Sequence, residues 1–412
     1  MIDFFTDPVL RAPTWGCMLL CFASSLVGVM IFLKKRSLLA ETLSHAAYPG
    51  ACLGVVLFSF LFPQGEHGAY WAVLGGAFIS SLFALLLVHW LESTRVSSDA
   101  ALCFVLALFF GVGIVVASGM QSSIPVWYQE VRMLLFGQAA TMSDLHIWIY
   151  GGLALFLLSF LFLHFCPLQA LLFDRDFSKS ARIRVEWVEK AVFWFLVLSL
   201  VLGIRSVGVV LMSGMLVAPA VCARAFSDRL QTVFIIAGSV GAASGFLGNV
   251  FSFYAHIPTG PTIVLVGTAF ALGGLLFAPR RGVCFRLFRV FQFRLRCMEE
   301  NVLKAVWKKG TVSERPTIAL RLALWQLKRG GWMDRDLQLT DDGRKKAALI
   351  IRLHRLWELY LTEELGFHAE KVHHTAEEME HILTPDMEEK LTRLLENPKL
   401  DPHLQPIPEK EL

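Results

Sequence analysis

The sequence predicts an all-α fold that crosses a membrane about nine times and then continues into a soluble helical domain. Three observations predict it. Of the 412 residues, 55% are hydrophobic and only 17% charged, where soluble domains average about 25% charged. The charges are segregated: as far as Gly282 they cluster between apolar runs, and from Cys284 onward they are dense and mixed in sign. Finally, the runs are long enough to cross about 30 Å of hydrocarbon at about 1.5 Å per residue.

The runs fall at residues 15–33, 37–62, 69–91, 99–118, 146–170, 191–204, 206–223, 231–253 and 262–278. The sixth and seventh are short and share a boundary at Arg205. Loops bearing Lys34-Lys35-Arg36, Arg95, the Arg175 to Lys190 stretch, Arg224 with Arg229, and Arg280-Arg281 alternate with the poorly basic Pro63 to Gly68 and Tyr254 to Gly260. Because basic loops stay on the cytoplasmic side, nine crossings place the N-terminus outside and the C-terminus in the cytoplasm, in a cell (inner) membrane. Asp3, Asp7 and Arg11 precede the first run with no basic n-region or small-residue cleavage site, which predicts a retained helix. Gln121 to Asp144 is amphipathic and reads as a surface or re-entrant segment, with Trp127 and Tyr128 as interfacial anchors. Eight cysteines occur without a Cys-x-x-Cys pair and mostly inside apolar runs, as small packing residues do.

Three regions result: a transmembrane domain over 1–282, a basic juxtamembrane linker over 283–297, and a soluble domain over 298–412. In the linker Arg286, Arg289, Arg294 and Arg296 alternate with apolar residues, as suits the surface of an anionic leaflet. Further on, Leu337 to Thr340 alternates like a short strand, Thr340 is a helix N-cap, and an amphipathic helix runs from Asp341 to Leu365. The net charge of +4 is too small to imply a nucleic-acid partner by itself.

Three constellations carry chemistry. Glu41 and His45 are four residues apart at the start of the second span and share a helical face. An intramembrane charge costs roughly 2.5–3.5 kcal/mol, so the pair is either a metal or pathway contact or a mutually satisfied hydrogen bond near the cytoplasmic end. Phe173, Asp174 and Arg175 open a charged loop reaching Arg182, which suits either docking of a cytosolic partner or plain solvation. In the tail, His354 and Glu358 are again four apart, and His373, Glu377, Glu380 and His381 follow at helical spacing. Carboxylate and imidazole without thiolate suit Mn(II) or Fe(II) better than structural zinc. Ordinary surface pairs give the same spacing.

The run Ser37-Leu-Leu-Ala-Glu41-Thr-Leu-Ser-His45 to Pro49-Gly50 resembles the permeases of manganese, zinc and iron ABC transporters. So do Asp99-Ala100, Leu135-Phe136-Gly137, Phe173-Asp174 with Ala181, Val207-Gly208 through Leu216-Val217-Ala218-Pro219, and Pro258-Thr259-Gly260. The resemblance implies a permease dimer, with this copy paired to a second permease, identical or different. It further implies a cytosolic ABC ATPase docked through Phe173, Asp174, Arg175 and Ala181, and a periplasmic protein or lipoprotein that delivers the divalent metal to Glu41 and His45. The acid is Glu41 where that family usually has Asp, so the choice among Mn, Fe and Zn does not carry over. No Gly-x-x-x-x-Gly-Lys loop occurs, so ATP hydrolysis is expected of another chain.

The tail resembles the manganese- and iron-dependent repressors of the diphtheria-toxin-repressor family through His354 to Gly366, Lys371-Val372-His373, Glu380-His381 and Asp401 to Pro408. That resemblance implies a winged helix followed by a metal-binding and dimerisation domain. Its metal ligands would be His354, Glu358, His373, Glu377, Glu380 and His381, with Glu300 from the first helix. Arg321, Gln326, Lys328 and Arg329 would face operator DNA, although Pro316 interrupts a helix-turn-helix shorter than the family's. Two roles follow: a metal sensor attached to a permease, or a metal-dependent repressor that the spans tether or that proteolysis of the linker releases.

Overall fold

The computed structural model describes residues 3–61, 69–180, 185–279, 281–311, 317–368, 379 and 385–409. Among the described residues every regular element is a helix, and the chain divides into two compact units, Met1–Phe285 and Arg286–Leu412.

The first unit contains α1 (Asp3–Thr6), α2 (Arg11–Leu33), α3 (Ser37–Leu61), α4 (Ala69–Glu92), α5 (Ser98–Ser123), α6 (Pro125–Phe136), α7 (Asp144–Leu163), α8 (Phe165–Phe173), α9 (Arg175–Ser180), α10 (Val185–Val207), α11 (Met212–Phe226), α12 (Leu230–Ala255) and α13 (Thr259–Phe277). Eight of these are long and apolar enough to cross a membrane. α11, with 15 residues, extends about 22 Å at the helical rise. It packs centrally, against α2, α12 and α13, with a proline at Pro219 inside it. A Cβ at Gly28 would stand 1.8 Å from the Leu216 carbonyl oxygen, so α2 and α11 cross backbone to backbone there.

The expected break at Arg205 is displaced. α10 continues to Val207, and the chain turns at Gly208, whose φ of +97° only glycine adopts readily. Arg205 stays within the last turn of α10, where its carbonyl has no helical donor and accepts instead from Gln138 N at 2.9 Å. The span expected at 146–170 is also divided: α7 stops at Leu163 and α8 starts separately after His164. The amphipathic segment is α6, started by Pro125 and ended by Gly137 at φ +72°. Trp127 and Tyr128 pack partly against the bundle core, and Trp127 meets Phe58 edge-on at 6.3 Å.

Three glycines from distant segments meet at one end of the bundle. Gly137 and Gly208 lie against each other's backbone, and Gly260 at the start of α13 lies against the carbonyls of Phe136 and Val207. Hydrogen bonds from Val209 N to Leu134 O at 2.9 Å and from Val210 N to Leu135 O at 3.4 Å seal the contact. At the other end, Lys34 pairs with Glu189 at 3.2 Å and Arg36 with Glu92 at 3.5 Å.

The second unit begins within α14 (Val283–Lys309) and continues through α15 (Ile318–Arg329), α16 (Asp341–Glu363) and α17 (Pro385–Leu394). The basic segment from Val283 onward is the first half of α14, one uninterrupted helix that runs on through Glu300 and Lys304. Thr340 caps α16 by accepting from Gly343 N at 3.1 Å. The strand expected over Leu337 to Thr340 does not form among the described residues. A tight turn with Leu337 at φ +60° leaves a single antiparallel bridge, Met333 to Leu339. α16 spans two apolar clusters: Ala347 and Ile350 join Leu303, Leu320 and Leu327, while Leu356 and Leu359 join Leu395 and Ile407.

Candidate functional site

α3 places Glu41 and His45 on one face in its first turns, so His45 lies about 12 Å along the axis from Ser37. Thr42, between them in sequence, ties the helix to α5 by donating to Leu102 O at 3.2 Å. The His45 ring meets Phe110 of α5 edge-on, with centroids 4.8 Å apart. Both Glu41 and His45 are half-buried. Nδ1 of His45 is buried with no hydrogen-bond partner, so the self-satisfied pairing with Glu41 is not made through that nitrogen. One turn further, Pro49 lies inside α3. Its missing N–H leaves the His45 carbonyl oxygen without its helical donor. A carboxylate, an unpaired imidazole nitrogen and a bare carbonyl thus come from two turns of one helix.

A cavity of about 220 Å³ lies elsewhere, between α3, α4, α6 and α10. Among the described residues it is lined by apolar side chains with Gln138, Thr141 and Arg205. A second cavity, of about 840 Å³, opens at the Lys34 end, where His89, Glu92, Glu186 and Glu189 line it with Lys34, Lys35 and Arg36.

The segment expected to dock an ATPase is a helix-turn-helix corner. Asp174 leaves the helical region after α8 and accepts from Asp176 N at 2.8 Å and Phe177 N at 3.1 Å, which makes it the N-cap of α9. Ser178 Oγ donates back to the Asp174 carbonyl at 2.7 Å. Two aromatic rings project, Phe173 at 89% exposed and Phe177 at 60%, beside the exposed Asp176 and Lys179. Phe177 was not visible as a site residue in the sequence, where the charges drew attention. Arg175 opens α9, and Ala181 lies outside the described residues.

In the second unit, Thr317 caps α15 by accepting from Leu320 N. Arg321, Lys328 and Arg329 are exposed and Gln326 is half-buried. Arg329 stacks over Trp325 at 5.2 Å, and Lys328 Nζ donates to the Arg335 carbonyl at 3.0 Å across the turn. Glu300 is half-buried on α14, one turn before Lys304. His354 and Glu358 are brought together, with Nε2 3.1 Å from Oε1. His373, Glu377, Glu380 and His381 lie outside the described residues. α16 is anchored beside this pair by Arg352, which reaches Glu388 of α17 at 2.9 Å with both side chains buried.

The ABC 3 transport family matches residues 6–278. The metal binding and dimerisation domain of iron dependent repressors matches residues 340–409. A probable metal transport system membrane protein of Chlamydia trachomatis serovar D is 32% identical, with 98% of this chain and 97% of that protein aligned. The manganese transport system membrane protein MntC of Bacillus subtilis is 30% identical over 85% of this chain and 83% of its own length. The zinc transport system membrane protein TroC of Treponema pallidum is also 30% identical, over 70% of this chain and 95% of its own. With its multi-span bundle matched almost from end to end, and a relative aligned along both units, the chain belongs to the ABC 3 transport family.

Proposed function

We propose that the chain is the permease subunit of an ATP-driven importer for a divalent transition metal, and that Glu41 and His45 contact the ion as it crosses. The observation that carries this reading is the buried, unpartnered Nδ1 of His45, one turn from a carboxylate and on a helix whose proline bares a carbonyl. An ion leaving water must recover its ligands inside the membrane. A carboxylate supplies charge and an imidazole supplies a borderline donor that Mn, Fe and Zn all accept. Relatives named for manganese and for zinc are each 30% identical to this chain, over 85% and 70% of it, so kinship leaves the metal open, and Mn, Fe and Zn are all candidates.

The half-buried face that carries the pair suits cover by a second permease, and a periplasmic or lipoprotein carrier would deliver the ion to the side away from Lys34. A cytosolic ATPase would press on α8 and α9 through Phe173 and Phe177, with Asp174 fixing the corner between them. On this reading the Lys34 end and the C-terminal unit face the cytoplasm. The test is uptake of radioactive or fluorescence-reported Mn(II), Fe(II) and Zn(II) by proteoliposomes containing the permease, its ATPase and the delivery protein. Glu41→Gln and His45→Ala should each abolish uptake while the assembly purifies intact. Normal uptake in both variants would remove the pair from the pathway.

A further inference from the structure

α14 begins where the last span ends. α13 stops at Phe277, and the Gly282 N–H donates to the Ala278 carbonyl at 2.7 Å, closing the turn that leads into Val283. Arg281 in that turn reaches Asp228 at 2.8 Å, as does Arg224 near the end of α11, so the turn is tied to a basic end of the bundle. Along its length α14 meets two environments. From Leu295 onward its apolar side chains are covered: Leu295 is buried, and Met298, Val302, Leu303 and Val306 join the core of the second unit. Before Leu295, by contrast, Val283, Leu287, Phe288, Val290 and Phe291 are all exposed, Leu287 by 62%. At about 100° per residue these five share one face, and Arg286, Arg289 and Arg296 share the opposite one, with the exposed Phe285 and Phe293 among them. Arg294 alone lies on the apolar side, where its long stem lets the guanidinium reach outward. Residues 283–298 include four arginines and no aspartate or glutamate.

We propose that residues 283–296 form a membrane-surface helix that binds anionic phospholipid, with Leu287, Phe288, Val290 and Phe291 among acyl chains and the arginines on phosphates. Contiguous exposed apolar surface of this kind is rare on a protein bathed in water alone, and a helix with one basic and one apolar face settles at the boundary of headgroups and acyl chains. The guanidinium fork matches phosphate oxygens two at a time. Nucleic acid would satisfy the arginines and leave the apolar face in water, whereas an anionic leaflet satisfies both. The leaflet is also at hand, because Val283 follows the last residue of α13 by six positions and a turn. Since α14 runs uninterrupted to Lys309, the lipid-binding segment is continuous with the second unit's own core helix. A break in the chain before Val283 would therefore leave that unit on the membrane. The inference uses the spans and not the Glu41 and His45 pathway, so either can fail alone.

The test starts from the full-length chain in proteoliposomes, with a specific protease site inserted between Gly282 and Val283. After cleavage, sedimentation measures how much C-terminal fragment stays with the vesicles. It should stay on phosphatidylcholine vesicles containing about 30% phosphatidylglycerol and leave those of phosphatidylcholine alone. Changing Arg286, Arg289 and Arg296 together to Gln should weaken retention on the anionic vesicles by about a hundredfold, at roughly fivefold per arginine. The same three changed to Lys should bind within a few fold of the wild type, and Leu287→Ser with Phe291→Ser should release the fragment with every charge in place. Equal amide exchange in α16 across the variants checks that the second unit is still folded. Equal retention on neutral and anionic vesicles overturns the proposal, since protein contacts then hold the fragment. So does a fragment that leaves both kinds of vesicle, which would assign the face to a protein or nucleic-acid partner, or a triple Gln variant that binds like the wild type.

Discussion

Removing the cap of α9 separates two accounts of Asp174, one electrostatic and one conformational. Asp174→Ala deletes the oxygen that accepts from Asp176 N at 2.8 Å and Phe177 N at 3.1 Å. N-cap losses of this kind cost about 1 kcal/mol, within a range of roughly 0.5–2, which is about fivefold in an equilibrium. α9 has six residues, too few to be helical on their own, so the loss falls directly on the population of the ordered corner. Phe177, in its first turns, then loses its fixed place. Asparagine caps as well as aspartate does, so Asp174→Asn should keep the corner while removing the charge. In proteoliposomes with the partner ATPase, the ratio of metal transported to ATP hydrolysed should fall about fivefold in Asp174→Ala and stay near the wild-type value in Asp174→Asn. Equal damage in the two variants would refute the capping account and assign the role to the carboxylate charge.

Two further outcomes follow from packing. Gly28→Ala should lower thermal stability in detergent by about 3 kcal/mol or more, since its Cβ would meet the Leu216 carbonyl at 1.8 Å. Gly119→Ala, with nothing within 4 Å, should be neutral or gain up to about 1 kcal/mol, and similar melting of the two variants would count against the crossing at Gly28. Arg352→Met should destabilise the C-terminal unit by about 3–5 kcal/mol, because Glu388 is left buried without the guanidinium 2.9 Å away. Hydrogen exchange in α17 measures it, and unchanged exchange there would contradict the buried pairing.

Hydropathy made the bundle legible because a membrane helix must keep its apolar length in the chain itself, and each expected run contains a helix. The boundaries were less legible. The boundary shared by two runs is expected at Arg205, but the turn comes at Gly208, where a positive φ sets it and the sequence shows only one more glycine. Spacing revealed Glu41 with His45 and His354 with Glu358, because one helix carries each pair. It could not reveal Lys304, which reaches His354 from another helix 50 residues away; a lone lysine in a charged, amphipathic stretch gives no sign of burial. Alternation over Leu337 to Thr340 makes no strand because, among the described residues, no second strand lies beside it and Met333 alone bridges to Leu339.

The meeting of Gly137, Gly208 and Gly260 imposes an order on biogenesis. A chain made from its N-terminus delivers α6 to the membrane long before α13 exists. Until Gly260 arrives, the carbonyls of Phe136 and Val207 that it covers have to be hydrated or shielded by lipid headgroups. The end of the bundle that carries α6 therefore closes last, as a seal set by the final span. A nascent chain released before Thr259 would keep its first spans and still lack a finished rim at that end, which gives membrane quality control a late feature to inspect.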